Sequence, residues 1–247
     1  MRYPLISAGL ACALSTTAIA DTIGFEIGAY AWQPNFSGSV ESGKLSSNID
    51  IEDDLGFDDE SSTVFYALLE HPIPLIPNLR IQQTELDIST NNTTAPFSFG
   101  GEVYTGNISS NIDLSHTDLT FYYEILDNWV SLDVGFTARI IQDGLVEIHD
   151  RTTNQTESFE ADGVLPLLYL AARFELPLTG LYAGGDINGL GINNDSIIDY
   201  KVNIGYETSI GLGLEAGYRN FSIDYDDNND TADLTIDGAY ISAFYHF

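Results

Sequence analysis

Between residues 130 and 140 the chain alternates without a break. Val130, Leu132, Val134, Phe136, Ala138 and Ile140 fall on one face, and Ser131, Asp133, Gly135, Thr137 and Arg139 on the other. A period of two sends successive side chains to opposite sides of an extended backbone, so the stretch is a two-faced strand and not an amphipathic helix. The pattern recurs over 23–31, 119–125, 164–176, 200–206, 210–218 and 239–247, and less cleanly over 63–69, 79–88 and 181–190. These are ten candidate strands, each able to supply the roughly 9–11 residues with which a tilted strand crosses a bilayer. No helical repeat and no internal repeat accompanies them, and no run of eighteen apolar residues follows residue 20. If this chain meets a membrane, it does so as strands.

The connections fall into two classes. His71–Asn78, Leu126–Trp129, Pro177–Gly180 and Glu207–Ser209 are short turns carrying Pro, Gly, Asn or Asp. The segments 41–61, 89–107, 142–163, 191–196 and 226–232 are polar loops, mostly longer. Short turns alternating with long loops are the habit of a bacterial up-and-down barrel, with both chain ends on the short-turn side.

Residues 1–20 predict a secretory signal: Arg2, an apolar stretch from Leu5 to Leu14, and Ala18-Ile19-Ala20 as a small-x-small cleavage site. Cys12, the only cysteine, lies within it. A lipoprotein reading would acylate Cys12, but Gly9 stands where such signals want Leu. The predicted mature chain, 21–247, has no cysteine, which excludes disulfides, thiolate metal sites and cysteine nucleophiles.

The whole chain holds 37 Asp and Glu against 8 Lys and Arg, a net charge of −29. Without Arg2 that becomes 7 bases against the same 37 acids, or −30. A nucleic-acid partner is argued against, because phosphate binding needs bases to displace counterions. With 44% hydrophobic residues the chain is not a disordered acidic tail either. Most of the acid lies in the loops: 21 acids against 2 bases in the five long ones, counting Asp224 and Asp233 with the last. The expected result is an acidic outer crown on a charge-paired barrel.

In a soluble barrel the apolar face looks inward, and in a membrane barrel it meets lipid. Here the polar faces are rich in glycine and mix both signs: Asp133 with Arg139, Arg173 with Glu175, Glu215 with Arg219, Asp199 with Lys201. Small and oppositely charged side chains suit a narrow lumen where charges must pair. Glu26, Asp118, Glu124, Asp133, Arg139, Arg173, Glu175, Lys201, Glu215 and Arg219 are therefore the expected lumen network. They either line a narrow pore or plug it, and the plug is favoured because ten strands enclose little more space than eight. The apolar faces end in aromatics such as Tyr123, Trp129, Tyr206 and Tyr245, as interfacial girdles do.

The last strand ends on Phe247, with Tyr245, Ala243 and Ile241 on its face. This ending resembles the C-terminal signal of bacterial outer-membrane proteins, which implies the barrel-assembly machinery as a partner. Three segments, Asp113–Trp129, Tyr169–Gly180 and Gly217-Tyr218-Arg219, with the acidic stretch Ile51–Glu60, are similar to a family of small gammaproteobacterial outer-membrane proteins. That family is associated with genomes carrying a GlyGly-type C-terminal sorting signal. The resemblance implies a barrel, an outer-membrane location and no established activity.

Catalytic constellations are sparse. Ser115, His116, Asp113 and Asp118 suggest a Ser–His–acid hydrolase, but a strand puts His116 and Asp118 on one face and Ser115 and Asp113 on the other. His149-Asp150 in the third long loop is reminiscent of an omptin-type protease, which also uses ten strands, without that family's surrounding sequence. His71 and His246 read as structural. Carboxylates in the loops are hard ligands that suit calcium or magnesium. The candidates are Asp53, Asp54 and Asp58, and Asp226, Asp227 and Asp230, the last three in a tract lacking the glycine and terminal glutamate of an EF-hand loop.

The fold expected is all-β: one transmembrane antiparallel up-and-down barrel of ten strands over 21–247, eight as the fallback, with short periplasmic turns and long acidic extracellular loops. The function expected is a non-enzymatic, porin-like outer-membrane protein of a Gram-negative envelope, either structural or a narrow passage for small ligands. The alternatives are a surface-binding module using the acidic loops, and a barrel hydrolase. No cofactor is expected beyond surface calcium or magnesium. The partners expected are outer-membrane lipid and lipopolysaccharide.

Overall fold

The computed structural model describes residues 23–43, 46–57, 60–227 and 230–247, so the predicted signal lies outside the described residues. Sixteen strands are present among them and no helix. In chain order they are β1 (Gly24–Trp32), β2 (Asn35–Ser42), β3 (Ile49–Asp50), β4 (Ser62–Glu70), β5 (Asn78–Glu85), β6 (Asp87–Thr93), β7 (Phe97–Phe99) and β8 (Glu102–Tyr104). They continue with β9 (Asn107–Asp113), β10 (His116–Leu126), β11 (Val130–Asp150), β12 (Gln155–Glu175), β13 (Leu181–Ile192), β14 (Asp195–Glu207), β15 (Leu212–Asp227) and β16 (Asp230–His246). Ten of them close a barrel in the order β1-β4-β5-β10-β11-β12-β13-β14-β15-β16, every neighbour antiparallel, and β16 returns to β1. Glu26 stands opposite His246 and Trp32 opposite Tyr240 at the closure.

The wall is built inside out. Phe25, Ile27, Phe65, Ile81, Val134, Phe136, Leu168, Leu170, Val202, Ile204, Leu214 and Ile241 all point outward and are exposed. Inward stand Gln82, Thr84, Asp118, Thr120, Thr137, Arg139, Asn188, Asp199, Lys201 and Arg219, all buried. An apolar exterior around a polar interior is the distribution of a barrel immersed in lipid. At the short-turn end the outer surface carries paired rings: Trp129 meets Phe174 edge-on at 5.2 Å, and Phe247 lies 5.5 Å from Phe25 and 4.5 Å from Tyr245. Such a belt suits the membrane–water boundary. Ile241, Ala243, Tyr245 and Phe247 share the outward face of the last strand, and the Phe247 N–H closes the seam on the Phe25 carbonyl at 2.8 Å.

The glycine-rich polar faces have a steric cause. Gly28, Gly205, Gly213 and Gly217 stand directly opposite Tyr66, Tyr182, Phe244 and Tyr240 in the ladder. A Cβ built at Gly205 would lie 2.2 Å from Cζ of Tyr182, and one at Gly213 2.0 Å from Cζ of Phe244. Each glycine is the slot into which a neighbouring ring folds across the inner wall. Gly205→Val should therefore lower stability by about 1–3 kcal/mol through overpacking. Gly163→Ala, where nothing lies within 4 Å, should leave urea unfolding in detergent unchanged.

The long loops are not loops. Segments 41–61, 89–107 and 142–163, expected to be polar connections, contain β3, β7, β8, most of β6 and the outer parts of β11 and β12, and β2 and β9 flank them. β16 pairs with β1 from His246 to Tyr240, then with β2 from Asp237 to Asp230. β11 likewise exchanges β10 for β9. The wall thus continues past the bilayer, and its inner faces gather a second core, apolar this time. Phe36, Ile49, Ile51, Leu55, Phe57, Leu86, Ile108, Ile112, Ile148 and Ile236 pack there above Trp32. This cap fills the mouth of the barrel at the long-loop end.

Candidate functional site

The lumen is organised in three storeys, the cap being the outermost. Beneath it lies a layer of four buried charges. Arg139 reaches from β11 and makes a bidentate pair with Asp118 of β10, Nε to Oδ1 at 2.8 Å and Nη2 to Oδ2 at 2.7 Å. The same Nη2 donates to Asp199 of β14 at 2.6 Å. Arg219 of β15 grips Asp199 from the other side at 2.9 and 2.7 Å, and its Nη1 donates to the Tyr30 hydroxyl at 3.0 Å. The Arg139 guanidinium lies 5.1 Å from the Phe221 ring centre, and the Arg219 guanidinium 4.7 Å from that of Trp32. Two carboxylates and two guanidiniums leave the layer neutral, which is how a low-dielectric interior can hold four charges. Solvent reaches none of its large members: Trp32 and Arg219 are 0% exposed and Arg139 is 1% exposed.

The third storey is a cavity of about 800 Å³, open at the short-turn end. Nine carboxylates and three basic side chains line it, together with six tyrosines. The bases are already held: Lys201 lies 3.2 Å and Arg80 3.6 Å from Asp186, and Arg173 lies 3.2 Å from Glu175 and 3.1 Å from Glu207. Arg173 also stacks on Tyr182, 3.7 Å from its ring centre. Tyrosine hydroxyls orient two of the acids. Tyr122 donates to Glu70 at 2.9 Å, and Tyr182 and Tyr240 donate to Glu215 at 3.0 and 2.7 Å. Asp133 stands opposite Glu124 in the ladder, both beside this cavity.

The ten charges expected in the lumen thus divide between two storeys. Asp118, Arg139 and Arg219 enter the sealed layer, and Glu26, Glu124, Asp133, Arg173, Glu175, Lys201 and Glu215 line the cavity. Arg173 meets Glu175 along its own strand, as expected, but the other pairs run across strands. Arg139 meets Asp118 and Asp199, not Asp133, because six residues of strand separate them by roughly 20 Å. Arg219 meets Asp199 rather than Glu215, and Lys201 meets Asp186. Arg80 and Asp186 were outside the expected set, and Asp199 was named on a polar face with Lys201 but not in the network. Asp186 occupies an inward position in a strand read as a strand, so alternation alone could have found it.

The histidines find local partners. His116 Nδ1 contacts the Leu114 carbonyl at 2.7 Å, and its Nε2 lies 4.0 Å from Asp118, whose oxygens Arg139 already occupies. Ser115 points the other way, its Oγ accepting from the Leu86 N–H at 2.9 Å, so no triad forms. His149 bonds Thr156 at 2.8 Å across the β11–β12 hairpin. Asp150 beside it closes the tip: it accepts from the N–H groups of Thr105, Thr152 and Thr153 and from the Thr105 hydroxyl. Burial disfavours the Asp150 carboxylate, but these donors outweigh it and hold its pKa well below the ordinary 3.8. A carboxylate with a depressed pKa stabilises above the ordinary range and loses its effect only as pH falls through the depressed value. Amides 105, 152 and 153 should therefore stay protected from hydrogen exchange at pH 4, and Asp150→Ala should expose them at any pH.

Two of the expected loop acids, Asp54 and Asp230, are held within the cap. Asp54 accepts from the Asp50 N–H at 3.0 Å and the Thr94 hydroxyl at 2.7 Å, and Asp230 from the Ser42 hydroxyl at 2.8 Å. The Asp226 N–H donates to Asp195 at 3.0 Å. Among the described residues, the one group of three acidic or histidine side chains close enough to share an ion is His116, Asp118 and Asp199. Asp53, Asp54, Asp226 and Asp230 are not part of such a group, Asp58 lies outside the described residues, and so does the side chain of Asp227. At His116, Asp118 and Asp199 the two arginines already neutralise the carboxylates, so the donor set does not suit a cation.

No protein-family profile matches the sequence, and no curated protein matches it. Solved structures do. The outer-membrane protease OmpT from Escherichia coli superposes with a TM-score of 0.55 at 11% identity, over 92% of this chain and 97% of the protease. The chain has the fold of an outer-membrane β-barrel. A Pseudomonas aeruginosa FadL homologue and the CymD monoaromatic hydrocarbon channel also align, at 9% and 7% identity, over 92% and 91% of this chain and 90% and 88% of theirs. Their TM-scores of 0.37 and 0.35 are too low for either to bear on the site.

Proposed function

We propose that this protein is a non-enzymatic outer-membrane barrel closed to through-passage, an envelope component that offers a dead-end acidic vestibule to the periplasm. The observation that carries the reading is the series of two closures in one lumen. A solvent-free neutral charge layer lies beneath an apolar cap, and the cavity stops below both. Of the two readings of the lumen charges, this favours the plug. The short turns and both described ends of the barrel lie at the cavity's open end, which supports a periplasmic opening. The predicted signal and the aromatic C-terminal strand support export and assembly in the outer membrane.

The likeness to a protease is a likeness of fold. His149 and Asp150 are committed to the hairpin tip, and His116 lies under the cap beside a carboxylate that an arginine holds. Both arrangements support a barrel without hydrolytic chemistry. The vestibule is selective by charge, since nine acids against three bases favour small cations over anions. Planar-bilayer recording of the refolded protein tests the proposal. The expected result is no stepwise conductance in molar salt, and stable ohmic channels would overturn it.

A further inference from the structure

Among the described residues the longest gap in the barrel wall lies beside β12. β12 pairs with β13 only from Glu175 to Leu168, where Leu168 meets Gly189. Beyond that point β12 runs on through Gln155, paired with β11 alone. β11 is covered on both sides there, by β12 and by β9. Among the described residues, no strand pairs with the second edge of 155–167. A row of unpaired backbone groups of this kind is a template for another strand.

The side chains along it describe what is missing. Phe159 faces the same way as Val146, its ladder partner, which packs against the cap core. Yet Phe159 is 70% exposed, because nothing flanks it on the open side. Glu157 shares the face of Phe159, beside Gly100, while Glu160 and Asp162 lie on the opposite face, where Asp162 accepts from the Asp143 N–H at 2.7 Å. All three are exposed, and no base lies between Gln155 and Leu167. Pro166 sits where the edge leaves the barrel, a residue that a strand tolerates when one side carries no ladder.

Among the described residues nothing fills the gap. β13 extends only from Gly189 to Ile192 beyond the last pair, and then turns through Asn193 at φ 57°. A second copy is disfavoured, since edge-to-edge pairing would set acids against acids, and like charges across a ladder destabilise it.

We propose that the outer edge of β12, residues 155–163, is a docking site for an extended basic segment of a partner protein, bound by strand addition. Backbone hydrogen bonds supply the pairing, lysine or arginine side chains on one face meet Glu160 and Asp162, and apolar residues on the other cover Phe159. The site lies beyond the bilayer, on the long-loop side.

The test uses the full-length barrel in non-ionic detergent and a fluorescein-labelled nonapeptide of alternating Lys and Val. A second peptide carries N-methyl groups on every valine, which removes amide donors and keeps the charge. Fluorescence anisotropy should show saturable binding of the first peptide and binding at least about tenfold weaker for the second, equal to about 1.4 kcal/mol. Hydrogen exchange should show new protection confined to 155–163. Glu160→Lys and Asp162→Lys together should weaken the first peptide at least as much. Should that variant not fold, the N-methylated peptide on the unaltered protein decides alone. Equal binding of the two peptides means adhesion by charge only and overturns the proposal. So does protection at another acidic segment such as 224–233, or no binding at millimolar peptide.

Discussion

Asp199→Ala should cost the barrel about 3–5 kcal/mol, the toll of leaving buried charge without its partner. Asp199 is the hub of the sealed layer, holding Arg139 on one oxygen and Arg219 on both. Its loss leaves two arginines and one carboxylate in a space that solvent does not reach. The effect should appear as a lower urea midpoint for the refolded protein in detergent, and as loss of heat-modifiable gel migration at a lower temperature. Removing all four charges should behave differently. Asp118→Leu, Arg139→Met, Asp199→Leu and Arg219→Met together take away the desolvation penalty along with the attraction, and such replacements are often neutral or stabilising by about 1–4 kcal/mol. A four-fold variant much more stable than Asp199→Ala shows that the layer is dry. An Asp199→Ala protein within about 1 kcal/mol of the parent would mean that water reaches the arginines, a magnitude typical of exposed pairs, and would remove the inner closure from the reading.

The contrast between layer and cap explains what the sequence made legible. The barrel strands announce themselves because one face meets lipid and the other meets charge, so alternation is strong in stretches such as 130–140. The cap strands carry the same period in a weaker alphabet. In β9, Ile108, Ser110 and Ile112 point inward, with Asn and Ser between them. In β6, Ile88 is the single apolar residue among Asp, Ser, Thr and Asn. Asn, Asp and Gly are poor strand formers, so local propensity argued for loops where tertiary packing imposed strands. The charge layer failed differently. Its residue types and their inward direction were legible for Asp118, Arg139 and Arg219, but their partners were not, because the Arg139–Asp199 contact joins residues 60 apart through ladder register. The unpaired edge of β12 was equally hidden, being a property of which strands stop early rather than of β12 itself.

Two closures in series predict a conductance that appears only when both are removed. The half of the cap carried by residues 33–61 can be taken off cleanly because Trp32 and Ser62 are cross-strand partners. Replacing residues 33–61 by Asn-Gly joins them through the two-residue turn that antiparallel strands favour. That deletion removes β2, β3 and the core residues Phe36, Ile49, Ile51, Leu55 and Phe57. By itself it should leave the bilayer silent, since Arg139 and Arg219 still fill the lumen below. Truncating the layer alone, with Asp118, Arg139, Asp199 and Arg219 all changed to Ser, should also leave it silent, because the apolar cap admits no ions. The combined variant should give steady openings, and these should prefer cations because the vestibule walls carry nine acids against three bases. Heat-modifiable migration of each variant separates a closed barrel from an unfolded one. If the cap deletion alone conducts, the layer is not a barrier, and if the layer variant alone conducts, the cap leaks. A folded double variant that stays silent would place the obstruction in the vestibule itself, where Arg173 stacks on Tyr182 and pairs with Glu207 along the β12–β14 wall.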